Sequence, residues 1–167
     1  MKITTKTGDN GKTGLFGGRR VRKNSPFIEM VGALDELQSF LGICKLSVGK
    51  DVFTVIERIQ KDLYRMMSVC GFEFKVPSNI SEICADDVAF LDGIMEQHQK
   101  LVADLSKFTL PGGSEASAKL DYARTICRRV ERVFVGMNEQ VPTDILVYLN
   151  RLSDVLFVLG NSLRQNA

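Results

Sequence analysis

Two stretches in the last third of the chain repeat apolar residues at alternating steps of four and three. One runs Ala116, Leu120, Ala123, Cys127, Val130, Phe134, Met137, the other Ile145, Leu149, Leu152, Leu156, Leu159, Leu163. This spacing returns to one side of a 3.6-residue helix and to neither face of a strand, so each segment is a helix burying a single stripe. Stripes of this heptad-like kind pack at shallow angles. The rest of the chain follows suit. Pro26 opens a first helix with Val31, Leu34, Leu37, Leu41 and Leu46 on its buried side and Gly49 at its end. Asp51 caps a second, carrying Val52, Val55, Ile59, Leu63, Met66 and Cys70 and ending before Pro77. A third starts near Asp86 or Asp87 and passes Phe90, Leu91, Ile94, Leu101 and Leu105 to Phe108, until Pro111-Gly112-Gly113 stops it. The fourth spans about 114–138, and the fifth follows Pro142 with Thr143 as its cap. Short connections between long helices predict an all-α, five-helix antiparallel bundle, ferritin-like in its packing.

With 167 residues, 44% of them hydrophobic, the chain can fill one core, so residues 1–167 are expected to form a single domain, with 25–167 as the bundle and 1–24 as a separate loop. Twenty-two Lys and Arg against 20 Asp and Glu leave a net charge of +2, which gives no case for nucleic-acid binding and makes any basic patch local. Cys44, Cys70, Cys84 and Cys127 lack C-x-x-C spacing and fall in apolar-periodic segments, the pattern of reduced core thiols in a cytoplasmic protein. No apolar run approaches ~18 residues, so no membrane span is expected. His98, among Glu96, Gln97, Gln99 and Lys100, reads as solvent-facing.

The N-terminal TKTGDNGKTGLFGGRRVRK, Thr5 to Lys23, puts five glycines and six cations (Lys6, Lys12, Arg19, Arg20, Arg22, Lys23) before the first helix. Glycines let backbone N–H groups approach an anion, threonine hydroxyls add donors, and the cations supply countercharge, so the stretch suits a phosphate cradle. Gly11-Lys12-Thr13 matches the end of a Walker A loop, but Lys6 stands where its first glycine belongs, and no buried strand precedes it. On the fourth helix, ARTICRRVER aligns Arg124, Arg128, Glu131 and Arg132 on one flank beside the apolar stripe, with Arg129 pointing elsewhere. Such crowding calls for nearby anions. Glu131 can neutralise one cation, and Asp35, an acid in an apolar stretch of the first helix, another. YLNRLSD adds Asn150 and Asp154 one turn apart, with Arg151 beside them. No spacing singles out a Ser-His-Asp or Cys-His set, and the single histidine counts against a di-iron bundle.

Together TKTGDNGKTGLFGG with Lys23, GALDEL, PGG followed by ARTICRRVER, and YLNRLSDVLF closely resemble the trimeric (PduO-type) ATP:cob(I)alamin adenosyltransferases, in the family's order and at its separations. Residues 50 to 105 match least. Val130 replaces a frequent alanine, and FTLPGG departs mildly from the commonest version.

The resemblance implies an enzyme that transfers the 5′-deoxyadenosyl group of ATP to Co(I) of cob(I)alamin, giving adenosylcobalamin and triphosphate. It implies a homotrimer with active sites between subunits, and ATP, Mg²⁺ and cobalamin as reactants. Carried across, the nucleotide contacts fall on Thr5, Lys6, Thr7, Gly8, Asp9, Asn10, Gly11, Lys12, Thr13, Gly14 and Lys23. They continue on Arg128, Arg129, Val130, Glu131, Arg132 and Asn150, with Glu131 a candidate for the Mg²⁺ shell. Arg128 is the expected catalytic cation, Arg124 pairs with Asp35 of the adjacent subunit, and Phe108 takes the place of the corrinoid's lower axial ligand. A flavin-type reductase and a B12-dependent client enzyme are the partners to expect. A non-catalytic ATP or corrinoid sensor on the same bundle is the alternative.

Overall fold

The computed structural model describes residues 4, 6–102, 110–137 and 141–164. Five helices carry the fold: α1 (Pro26–Cys44), α2 (Lys50–Gly71), α3 (Ala85–Gln99), α4 (Glu115–Val135) and α5 (Thr143–Arg164). Ahead of them, β1 (Lys12–Gly14) pairs antiparallel with β2 (Arg20–Arg22), Thr13 opposite Val21. The two short strands were not expected from the sequence. Three residues are too few to show a period of two.

The stripes do what their spacing dictates. Leu120, Ala123, Cys127, Val130 and Phe134 of α4 meet Ile145, Leu149, Leu152, Leu156 and Leu159 of α5 in one hydrophobic cluster, which also takes Leu34, Leu37 and Leu41 from α1, Ile59, Leu63 and Met66 from α2, and Leu91 from α3. Helix α4 lies between α1 and α5; α2 flanks α1 and α3 flanks α5. The antiparallel sense is visible in successive bridges. Arg129 pairs with Glu36, Tyr122 meets Phe40 edge-on at 4.9 Å, and Lys119 reaches Ser47 at 2.6 Å, so α4 descends as α1 rises.

Several helix ends differ from expectation. Helix α1 stops at Cys44, and Leu46, in the 3₁₀ turn Lys45–Ser47, is 83% exposed rather than buried. Gly49, not Asp51, holds the N-cap position of α2; Asp51 lies in the first turn, where a carboxylate favours the helix dipole. Helix α3 ends at Gln99, leaving Leu101 exposed, while Leu105 and Phe108 lie outside the described residues. Helix α5 begins at Thr143 itself. Ser114 caps α4 by accepting the Ser117 N–H at 3.1 Å. The preceding turn needs its glycines: Gly112 and Gly113 have φ of 107° and 102°, and a Cβ on Gly113 would lie 2.7 Å from Arg164 Cγ.

Two further expectations are corrected. Cys84 is exposed at the N-cap of α3, unlike the three buried thiols, of which burial raises Cys44 to about 11 and Cys70 to about 12. His98 is buried, because it lies one and two turns beyond Ile94 and Leu91 on the inward side of α3. Its Nδ1 has no hydrogen-bond partner among the described residues, and burial lowers its pKa against a smaller opposing pull from Asp51.

A charge network around two buried carboxylates joins α2, α3 and α5. Asp62 accepts from Arg58, Arg65 and the hydroxyl of fully buried Tyr148 (2.9 Å), and Asp87 accepts from both arginines at 2.6 Å. Burial and the adjacent Asp62 push the Tyr148 phenol well above its ordinary value, so it stays a donor. Among the described residues no helix is long and apolar enough to cross a membrane.

Candidate active site

The glycine-rich stretch is a folded hairpin closed by its own backbone. Gly11, at φ 76°, accepts the Lys23 N–H through its carbonyl at 2.9 Å, which returns the chain from β2 to the start of β1. Arg20 crosses the hairpin and donates to the carbonyls of Thr7 (2.6 Å) and Lys12 (3.3 Å). Asn10 accepts the Lys12 N–H at 3.3 Å. A Cβ built on Gly8 would stand 3.3 Å from Lys23 Nζ, so the ammonium lies close against the turn. Lys6, Thr7, Asp9, Asn10, Gly11, Lys12, Gly14 and Lys23 are exposed, and Gly8 and Thr13 half-buried; Thr5 lies outside the described residues. Lys6 takes a left-handed φ of 58°. The result is an open turn of glycine backbone ringed by cations, the chemistry of an anion cradle.

The second cluster is built on α4 and α5. Val130 is fully buried in the core and fixes the roll of α4, which leaves Arg128 and Arg132 in solvent. Arg132 donates back to the Arg128 carbonyl at 3.0 Å. Glu131 is not spent on an arginine: it accepts the Asn150 side-chain amide at 3.1 Å, joining the two helices at the flank. Arg129 does point elsewhere, to Glu36 on α1. Arg151 pairs with Asp92 of α3 and, at 3.8 Å, with Asp154. Asp35 is exposed on α1, and the Nε of Arg124 is buried; among the described residues neither finds an ion-pair partner in its own chain. Phe108 lies outside the described residues.

Both clusters occupy the same end of the bundle. The hairpin sits on the C-terminus of α2, where Phe16 N–H donates to the Gly71 carbonyl at 3.0 Å and Arg19 pairs with Glu73. Helices α1 and α2 run antiparallel, as do α1 and α4, and α4 and α5, so that end also gathers the C-terminal half of α4 and the N-terminal half of α5. The glycine turn with its cations and the arginine pair stand where the sequence puts a candidate cradle and flank. Sequence reasoning missed the seat formed by Phe16, Gly71 and Glu73, and the network on Asp62. For Asp62 a signal existed: it is an acid on the buried stripe of α2, between Ile59 and Met66, with arginines four before and three after it.

The model of the cobalamin adenosyltransferase family matches residues 3–163. The chain belongs to the cobalamin adenosyltransferase family. It is 40% identical to a cobalamin adenosyltransferase of Cupriavidus metallidurans, over 98% of this chain and 89% of that protein. It is 35% identical to the corrinoid adenosyltransferase PduO of Salmonella typhimurium, over 97% of this chain but only about half (49%) of that longer protein. Among solved structures, a variant PduO-type ATP:corrinoid adenosyltransferase from Lactobacillus reuteri, complexed with cobalamin and ATP, superposes with a TM-score of 0.89 at 29% identity, covering 98% of this chain and 94% of that one. The similarity of this cobalamin adenosyltransferase family member to its relatives thus extends through the hairpin, the flank and all five helices.

Proposed function

We propose that the protein transfers the 5′-deoxyadenosyl group of ATP to cob(I)alamin, and that the hairpin and the arginine flank are two halves of its ATP site. The observation that carries this is their shared end of the bundle: an exposed glycine turn with Lys6, Lys12 and Lys23, and an exposed pair Arg128 and Arg132, in a cobalamin adenosyltransferase family member. Bound corrinoid supplies the nucleophile: Co(I) gives its electron pair to C5′ of ATP, a Co–C bond forms, the C5′–O bond breaks, and triphosphate leaves with the bonding electrons. The protein's share is alignment and charge. Glycine N–H groups and Lys12 orient the triphosphate in line with C5′, and Arg128 neutralises the charge that grows on the departing oxygen. No group needs to abstract a proton, in keeping with a site made of cations and backbone donors.

Glu131 fits an Mg²⁺ shell. One carboxylate oxygen is engaged by Asn150, and the other can accept from a hydrated ion held by the triphosphate. Phe108 would close the lower face of the corrinoid, removing its axial ligand and making Co(II) easier to reduce. In a homotrimer, Asp35 of one subunit would meet Arg124 of the next, answering the unmatched charge on both helices. A flavin-type reductase would supply Co(I) in the cytoplasm and a B12-dependent enzyme would take the product. Anaerobic mixing with ATP, Mg²⁺ and chemically reduced cobalamin tests the reading. The expected result is the absorbance of adenosylcobalamin with stoichiometric triphosphate; ATP binding without turnover would refute it in favour of a sensor.

A further inference from the structure

The end of α2 and the turn after it meet the hairpin and the start of α1 residue by residue. Gly71 accepts the Phe16 N–H through its carbonyl, the Phe72 ring lies 5.4 Å from the Phe16 ring, Glu73 pairs with Arg19, and the Phe74 ring meets Phe27 at 5.4 Å. Glu73 and Phe74 hold left-handed φ values of 54° and 62°, which non-glycine residues adopt only where surrounding contacts compensate the strain. Those contacts come from the hairpin, from Phe27 of α1 and from the last turn of α2, whose Cys70 and Val69 carbonyls accept the Glu73 and Phe74 N–H groups. Phe16 is 67% exposed, yet its ring lies where a Cβ on Gly71 would stand, 2.4 Å from Cδ2 and 2.8 Å from Cε2. The Phe72 ring lies beside it, and an apolar cleft of about 220 Å³ bounded by Leu15, Ile28, Val31, Tyr64 and Met67 opens alongside. Inside the hairpin, Leu15 N–H donates to Arg19 O (2.9 Å) and Gly18 N–H to Leu15 O (3.0 Å), so the hairpin has closure of its own, separate from its seat.

We propose that Gly71 and Phe16 form a latch that positions the cation-ringed turn for ATP, with Gly71 a positioning residue that acts through the missing side chain. The inference rests on the hairpin's role in the ATP site proposed above. Gly71 has ordinary helical backbone and ends a helix, so alanine there raises helix propensity while displacing the Phe16 ring. The two effects have opposite signs, which separates the latch from general stability.

Amide hydrogen exchange and steady-state kinetics on Gly71→Ala, Phe16→Ala and the double variant test it. In both single variants without ATP, the Phe16 amide should exchange about two- to tenfold faster, the loss expected for one aromatic contact. The Leu15 and Gly18 amides should keep their protection, and the Gly71→Ala melting temperature should not fall. The double variant should be no worse than Phe16→Ala, since the collision needs the ring. KM for ATP should rise by a similar factor with kcat at saturating ATP unchanged. Unchanged exchange at Phe16 in Gly71→Ala overturns the latch, whatever the function of the hairpin. Faster exchange with an unaltered KM for ATP overturns instead the hairpin's place in the ATP site.

Discussion

Asp87→Asn removes the charge, and with it the arginine hydrogen bonds, of one buried carboxylate that ties α3 to α2. Asp87 is 2% exposed; Arg58 and Arg65 each donate to it at 2.6 Å, and the Cys84 N–H at 3.1 Å. Burial alone would raise its pKa, but hydrogen bonds from Arg65, the Cys84 N–H and Arg58 outweigh it and hold the carboxyl at about 2, against an ordinary 3.8. A depression of that size is worth about 2 kcal/mol of folding stability. Side-chain exposures of 48% for Arg58 and 25% for Arg65 mean that losing Asp87 strands neither cation. The cost therefore stays below the ~3–5 kcal/mol of breaking a fully buried pair. Asparagine can keep an acceptor for the Cys84 N–H, but its NH2 then faces Arg58 and Arg65, so the substitution reports the charge together with the arginine hydrogen bonds. Because the folded pKa is the lower one, the stabilisation is nearly complete above pH ~4 and fades as pH falls toward 2. Urea unfolding of both proteins should show a gap of about 2 kcal/mol at pH 7 that drops below half by pH ~2.5. A gap under ~0.5 kcal/mol at pH 7, the scale of an ordinary surface change, or one that persists undiminished in acid, would refute the reasoning.

Arg128→Ala should lower turnover at least ~100-fold, as removal of one charge-stabilising donor does. Since Arg128 is exposed, its melting temperature should hold; an unchanged rate would remove its assigned role. Phe108→Ala should slow adenosylation started from Co(II) more than from pre-reduced Co(I), and equal losses would sink the ligand-displacement role. Reversing Arg124 to Asp should weaken self-association in sedimentation, and adding Asp35→Arg to the same chain should restore it; a double variant as weak as the single would count against that pairing.

The helices were legible because α4 and α5 each carry an unbroken stripe, and burial is what such a stripe is for. Their ends were less so. Leu46 and Leu101 continue the apolar pattern past the last helical turn, so periodicity alone runs on where the backbone has already turned away. His98 was misplaced by its polar neighbours in sequence, although its neighbours on the helix, Ile94 and Leu91, give its true side. The candidate cradle and flank could be proposed from the sequence because glycine and arginine advertise their chemistry in the letters. That both lie at one end of the bundle could not, since it depends on which helices run antiparallel. The seat at Gly71 was hidden for the same reason: its role lies in a contact with Phe16, 55 positions away.

The most direct test of the two-halves account is complementation between Lys12→Ala and Arg128→Ala, which disable the hairpin and the flank respectively. Each variant alone should be nearly inactive. If the site is assembled from neighbouring subunits, mixing and reassembling the two at equal amounts should restore about a quarter of the wild-type rate, the share of sites that pair an intact hairpin with an intact flank under random exchange in a closed ring. Verified subunit exchange with no recovery of activity would contradict the assembly of the two halves from neighbouring subunits.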